Sequence, residues 1–462
     1  MPPRIALLLC LAFIFWLFAG DLKRRKKVSA AIWIPWLWAA ILGSRPVSMW
    51  LGSAVEMESQ DDYLEGSPLD RNVFLLLMAM GIIVLLRRRV QWNRLFAQNK
   101  MLFIFSAFWA CSALWSDFSA TAFKRWSKDF GNVVMVLVVL TEEDPVDAVK
   151  AVLARCTYVL VPISVLFIRY FPDLGRFLTR YTWEMMFTGI TLEKNALGNV
   201  VMTCWVFLVW DVLDRWERRT PTTKKWEFAG HAALLLMSAW LLAVARSSTS
   251  VFCAMVGTGL LLGLRAPLVR KRIRHLEAYA IAGLVLYVAL EGAFDLKARL
   301  IEGLGRDASL TGRKELWQEL IRADIDPVLG EGFYSFWMGD VAQAICDNYY
   351  WHPNQAHNGY LDTYLNGGLV GLALLGMFLL AGERGIKKEL LRGGRLGSLR
   401  LVLFVVTLFV NWTEAMFNKM ALAWFVLLLM MVEYHRGTAK LKPAAAGTAG
   451  TPPSGPPPQD KP

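Results

Sequence analysis

Long apolar runs alternate with short polar ones along almost the whole chain, and this rhythm predicts helices that cross a membrane. The runs reach roughly 15 to 20 residues, about the length a bilayer requires once flanking residues help. Spans are predicted at Ile5–Ala19, Val28–Gly43, Val73–Leu86, Met101–Trp115, Phe130–Leu140, Ala151–Ile168 and Leu197–Leu213. They continue at Ala229–Ala245, Val251–Leu264, Ala278–Phe294, Gly359–Ala381, Leu401–Val410 and Ala421–Val432. One long polar stretch, from about Thr311 to the start of the Gly359 run, interrupts the pattern. Within it Leu316, Trp317, Leu320 and Ile321 recur at helical spacing, which predicts an amphipathic helix over Gly312–Ala323 with Thr311 as its N-cap. Asp326-Pro327 predicts a turn.

The expected fold is an all-α polytopic membrane protein of about 12–13 transmembrane helices, depending on whether the first run spans or is a surface helix. No signal-peptide cleavage pattern follows that first run, so a retained segment is favoured. Residues 1–294 form the first group of spans, 295–358 a large outer loop and 359–436 the last spans. Residues 437–462, rich in Ala, Gly and Pro, are expected to be a disordered tail.

Composition fits this reading, with 55% hydrophobic residues. The net charge of +12 would suggest a nucleic-acid partner in a soluble protein. Here the basic residues cluster in alternate loops (Lys23–Lys27, Arg87–Arg89, Arg218–Lys225, Arg270–Arg274, Arg384–Arg400), and the positive-inside rule makes those loops cytoplasmic. The partner is then the lipid bilayer, and no nucleic acid is expected. Five of the six cysteines fall in or beside apolar runs, so neither a disulfide framework nor metal-ligand spacing is visible. Neither metal nor cofactor is expected.

Several polar groups converge on the outer face under this topology. Arg246-Ser247-Ser248-Thr249-Ser250 separates two spans, and Glu193-Lys194-Asn195 leads into another. Lys124, Arg125 and Lys128 follow Trp115-Ser116-Asp117, and Arg313 and His357 lie in the large loop. Outer basic residues run against the positive-inside bias, so an anionic ligand competes with headgroup contact or local pairing as their explanation. Arg246, Arg313 and Lys194 are the candidate anion-binding residues. His357 is the candidate base, because a neutral imidazole accepts a proton from a hydroxyl near neutral pH; the competing reading is a helix cap. Asn358, Asp362 and Asn366 continue from it as a polar stripe on a predicted span, and Asn195, Asn358 and Asp362 are expected to support the site. Gly367, Gly368 and Gly371 read as close-packing positions. Twenty tryptophans fit an interfacial belt; Trp115, Trp183, Trp317, Trp337 and Trp351 could also stack on sugars.

In order along the chain, these motifs resemble the O-antigen ligase and polymerase family of bacterial envelope glycosyltransferases. The resemblance rests on Leu114-Trp115-Ser116, on Phe187-Thr188-Gly189-Ile190 with Lys194-Asn195-x-Leu197-Gly198, and on Arg246-Ser-Ser-Thr-Ser250. It continues with Thr311-Gly312-Arg313-x-x-x-Trp317, Pro327-x-x-Gly330-x-Gly332, and His357-Asn358-Gly359-Tyr360-Leu361 with Gly368-x-x-Gly371. Glu193 departs from the pattern, which has a His there. The resemblance implies a GT-C-like bundle in the inner membrane whose periplasmic loop caps the site with amphipathic helices. It further implies transfer of a glycan from an undecaprenyl diphosphate carrier to an acceptor hydroxyl, without metal or nucleotide sugar. The acceptor is lipid A–core for a ligase and growing polysaccharide for a polymerase; a protein hydroxyl is a further possibility. A transporter of lipid-linked sugars is the competing class. It would place polar groups near the midplane rather than at one rim.

Overall fold

The computed structural model describes residues 1–52, 67–178, 184–218, 226–272, 313–349 and 352–434. The predicted span Ala278–Phe294, most of the acidic loop after Gly52, Thr311-Gly312, Trp183, Trp351 and the C-terminal tail lie outside these residues. Apart from a two-stranded ribbon, β1 (Arg176–Leu178) against β2 (Met185–Phe187), the described elements are helices. They are α1 (Pro3–Arg24), α2 (Trp33–Leu42), α3 (Pro68–Arg87), α4 (Lys100–Cys111), α5 (Ser119–Leu140), α6 (Pro145–Tyr170) and α7 (Lys194–Glu217). Then come α8 (Trp226–Ala245), α9 (Ser248–Gly263), α10 (Arg313–Ile321), α11 (Asp340–Asp347), α12 (Gly359–Leu391), α13 (Gly397–Thr413) and α14 (Leu422–Met431), with short helical turns between.

Every predicted span within the described residues falls on one of these helices. Six of the helices are long and apolar enough to cross a membrane, and five further apolar helices are shorter. The protein is an all-α polytopic membrane protein. Helix starts follow local chemistry. Ser67 accepts the Asp70 N–H ahead of Pro68, and Asp144 accepts the Asp147 N–H ahead of Pro145, so each cap satisfies an orphan donor beside a proline that lacks one.

α6 and α7 are buried along most of their length, whereas α1 and α3 show most of theirs. The charge that the sequence places inside a span, Arg155, is paired. Its Nε lies 2.9 Å from Asp21 Oδ2 on α1, and its guanidinium stacks 4.4 Å over Trp33. Nearby, Lys150 meets Asp214 at 2.6 Å and His231 meets Asp211 at 3.0 Å. This network joins α1, α6, α7 and α8 at one end of the bundle. Arg395 reaches Asp147 and Asp214 at that same end. The basic loops there and the N-terminus of α7 therefore lie at opposite ends.

The large loop docks on α12 through a break in that helix. Gly368 has φ 58° and ψ −160°, which divides α12 in two. The freed backbone groups are met by the loop: Leu369 N–H donates to Pro327 O (2.9 Å) and Val370 N–H to Val328 O (3.1 Å). In return Glu331 and Gly332 N–H donate to Leu365 and Asn366 carbonyls at 3.2 and 2.8 Å. Unpaired, such groups would each cost a few kcal/mol. Gly368 is thus more than the packing glycine expected from sequence. A Cβ there would clash with the Val328 backbone, and one on Gly330 would come 2.5 Å from Gly367 N. Gly367 and Gly371 do fit the expected packing role, against Trp109 and Phe108.

The predicted amphipathic helix is α10. It buries Leu316 and Leu320 with Phe336, Trp337, Ala342, Cys346 and Leu365, a small core that attaches the loop to α12. The Leu-Trp-Ser motif holds the loop from the other side. Ser112 Oγ accepts the Phe333 N–H at 3.0 Å, and the Ser116 and Ser335 hydroxyls meet at 2.6 Å.

Gly368→Ala is expected to lose about 1–3 kcal/mol, because it combines a left-handed φ with a steric clash. Gly376→Ala, where a Cβ meets nothing within 4 Å, serves as control. Thermal unfolding of the purified variants should separate them; equal melting temperatures would show that the break carries no load.

Candidate active site

The polar groups singled out from sequence gather where α7, α9, α10 and α12 begin and α13 ends. Three of them share Glu414, the C-cap residue just after α13, which is only 5% exposed. Asn195 Nδ2 donates to Glu414 Oε1 at 2.9 Å. Arg313 Nη2 stands 3.7 Å from the same oxygen, and its Nη1 donates to Thr413 O at 2.6 Å. His357 Nδ1 lies 3.4 Å from Glu414 Oε2. Three candidate residues from three separate segments therefore share one carboxylate.

Local backbone geometry sets this up. His357 has φ 49°, a left-handed conformation that is costly for a side chain with a Cβ. Immediately after it, Asn358 caps α12 by accepting the Tyr360 and Leu361 N–H groups. The Gly359 N–H then donates to Glu414 O at 3.2 Å, tying the start of α12 to the end of α13. Asn411 steadies the other side, its Oδ1 accepting the Met416 and Phe417 N–H groups at 2.9 and 3.0 Å.

The remaining expected residues occupy distinct positions. Lys194, half-buried, opens α7 beside Asn195 and has no ion-pair partner among the described residues. Arg246 is exposed at φ 50°, and its segment joins the site through Thr249 Oγ1 and Thr413 Oγ1, 2.9 Å apart. Gly198 lets α7 approach α9 so closely that a Cβ would lie 2.6 Å from Ser250 Oγ; this explains the pairing of two motifs distant in sequence. Asp362 faces the loop, where its Oδ1 accepts from Trp337 Nε1 (3.1 Å) and Ala356 N (2.9 Å). Asn366 Oδ1 accepts the Phe336 N–H at 3.2 Å. The polar stripe thus anchors the loop. Trp317 and Trp337 spend their N–H groups on Ala356 O and Asp362, so they hold structure at those edges.

Sequence reasoning missed Glu414 and Lys419. Lys419 Nζ donates to Gln355 Oε1 at 2.7 Å and stands 3.5 Å from Asp362 Oδ2. Glu193 belongs to the same electrostatic neighbourhood. The protein mass around it and repulsion from Glu414 raise its carboxyl above the ordinary value, while His357 and Lys419 pull it down. Among the described residues no cluster of three or more His, Cys, Asp or Glu could hold a metal ion.

A carboxylate shared by a guanidinium, an imidazole and an amide fixes three side chains with one anion. The Nδ1 contact orients the His357 ring, and with the proton on Nδ1 the lone pair is on Nε2. Chemically the arrangement offers positive charge for an anion and a base for a hydroxyl.

Comparison with known proteins bears on the family. Residues 231–376 match the family model described as O-antigen ligase. That segment contains Arg246, Arg313, His357, Asn358 and Asp362 but neither Asn195 nor Glu414. The chain is also 28% identical over 321 residues to the exopolysaccharide production protein ExoQ of Rhizobium meliloti (strain 1021), covering 67% of this chain and 69% of that protein.

If Glu414 couples these groups, Arg313→Ala and Glu414→Ala should be non-additive, with an interaction energy on the order of 1 kcal/mol. Denaturant unfolding of both single variants and the double variant measures it. Strict additivity would remove Glu414 as the hub.

Proposed function

We propose that this chain belongs to the O-antigen ligase family and is a glycosyltransferase that moves a glycan from an undecaprenyl diphosphate carrier to an acceptor hydroxyl. The site faces the periplasm from the inner membrane, since the basic loops gather at the opposite end of the bundle. The observation that carries the reading is the meeting of Arg313, His357 and Asn195 on Glu414. In a transporter the polar groups would line a midplane path; here they close one rim beneath a docked loop.

In the proposed reaction, Arg313, with Arg246 and Lys194 beside it, takes the diphosphate. A planar guanidinium bonds phosphate oxygens in pairs and stays charged throughout. The acceptor oxygen attacks the anomeric carbon and its proton passes to Nε2 of His357. The bond from that carbon to the diphosphate oxygen breaks, and undecaprenyl diphosphate leaves with the electron pair. Glu414 stabilises the imidazolium as it forms. Asn195 holds the carboxylate, while Asn358 and Asp362 fix the start of α12 and the loop above it. No step calls for a metal, because the cations of the chain itself neutralise the leaving group. Of the two acceptors this chemistry serves, lipid A–core or growing polysaccharide, similarity to an exopolysaccharide production protein favours the second.

His357→Ala should lower turnover by roughly 10²–10⁴-fold with donor binding nearly normal, the usual contribution of a positioned base. Arg313→Ala should lose both turnover and donor affinity, and Arg313→Lys should recover only part, since a point charge does not reproduce the fork. Steady-state assays with purified protein, in the presence of chelator, test this reading. Wild-type rates in His357→Ala would end the base assignment, and a chelator-sensitive rate restored by a divalent cation would end the metal-free one.

A further inference from the structure

A cavity of about 270 Å³ opens between the N-terminal parts of α3 and α5. Its wall is basic, with Arg71, Lys124 and Lys128, and its floor is apolar, with Trp38, Phe74 and Met78. Arg71 and Lys124 are exposed. Neither acid of the adjoining helices lines it. Asp70 accepts from Ser48 N at 3.0 Å and from Ser67, and Asp129 accepts from Asn132 and, at 2.9 Å, from Trp424 Nε1. Cations above an apolar floor suit an anionic amphiphile: a soluble anion would have no use for the floor, and a neutral lipid none for the cations.

The cavity adjoins the site without being part of it. Arg125, also on its wall, donates from Nη1 to Tyr334 O at 2.7 Å. Tyr334 in turn donates from its hydroxyl to Phe417 O at 3.3 Å, and its ring lies 5.9 Å from Lys419 Nζ, the cation bound to Gln355. Tyr334, Lys419 and Gln355 thus stand in line between Arg125 on the cavity wall and His357, whose Nδ1 lies 3.5 Å from Gln355 Nε2.

We propose that this cavity binds the phosphorylated head of a second isoprenoid-linked substrate, the acceptor, while the Arg313 cluster holds the donor. The assignment rests on the proposed function, because transfer between two lipid-borne glycans needs two anion-binding places at one rim. The apolar floor takes the first carbons of the lipid, and Arg71 and Lys124 bond the phosphate oxygens. The acceptor glycan then reaches His357 past Tyr334.

Undecaprenyl diphosphate, titrated onto the full chain in nanodiscs of neutral lipid and counted by native mass spectrometry, tests the proposal. The wild type should bind two equivalents. The double variant Arg71→Gln/Lys124→Gln, altered only at exposed positions, should keep one and bind the other roughly tenfold or more weakly, the cost of losing charge-assisted bonds. Arg313→Ala should lose the complementary equivalent. One equivalent in the wild type, or two unaffected in the double variant, overturns the proposal; the acidic chain segment 53–66 occupying the cavity would give the first of these results. Equal occupancy by phosphatidylglycerol at the same mole fraction also overturns it, as would displacement by inorganic pyrophosphate alone, which would mean a site for free phosphate. Two equivalents that survive Arg313→Ala but not the double variant would uphold the cavity and remove Arg313 from the donor site.

Discussion

A carboxylate buried to the extent of Glu414 loses hydration worth several kcal/mol, a cost that nearby positive charge and donors must offset. Arg313, His357 and Asn195 do so, each from a different segment. The requirement runs both ways. Without Glu414 the guanidinium and the imidazole would have no shared anchor, and the starts of α7, α10 and α12 would lose their common point of attachment. The Gly359 N–H bonded to the Glu414 carbonyl adds a backbone tie to the same residue.

The broken α12 serves the same end by other means. A continuous helix would present a closed ladder of backbone bonds to the large loop. The break at Gly368 exposes donors and acceptors that the Pro327–Gly332 segment satisfies, so backbone geometry holds this part of the loop. Ser112 and Ser116 clamp the next residues of the loop, and Asp362 and Asn366 hold its far side. Arg313 and His357 lie at either end of this clamped stretch. Their separation is therefore set by a rigid frame, as the proposed charge clamp and base would require to act on one substrate.

Much of this was legible in the residues themselves. Apolar run lengths marked the helices, and the spacing of Leu316 and Leu320 marked α10, because burial imposes a period on sequence. Arg313, His357 and Asn195 stood out as polar groups at one rim. Glu414 did not: a single acid closing a short apolar run has no periodicity, and its partners lie 57, 101 and 219 positions away. The available signal was weaker, a carboxylate that span alternation puts on the same side as His357. Gly368 was visible, but its role was not. A packing glycine and a helix-breaking one read alike until the loop that fills the break is seen. Asn358 and Asp362 were expected to support the site; in the structure they cap α12 and anchor the loop.

Under the proposed function, the Glu414 cluster is where the diphosphate and the acceptor hydroxyl meet. A cryo-EM structure of the full chain in nanodiscs with undecaprenyl diphosphate bound tests it directly. The account predicts a phosphate oxygen within hydrogen-bond reach of the Arg313 guanidinium, about 2.7–3.0 Å, with His357 still oriented by Glu414 and facing the space beside the diphosphate. Diphosphate bound only at the other end of the bundle, with Arg313 still turned to Glu414 and Thr413, would contradict it.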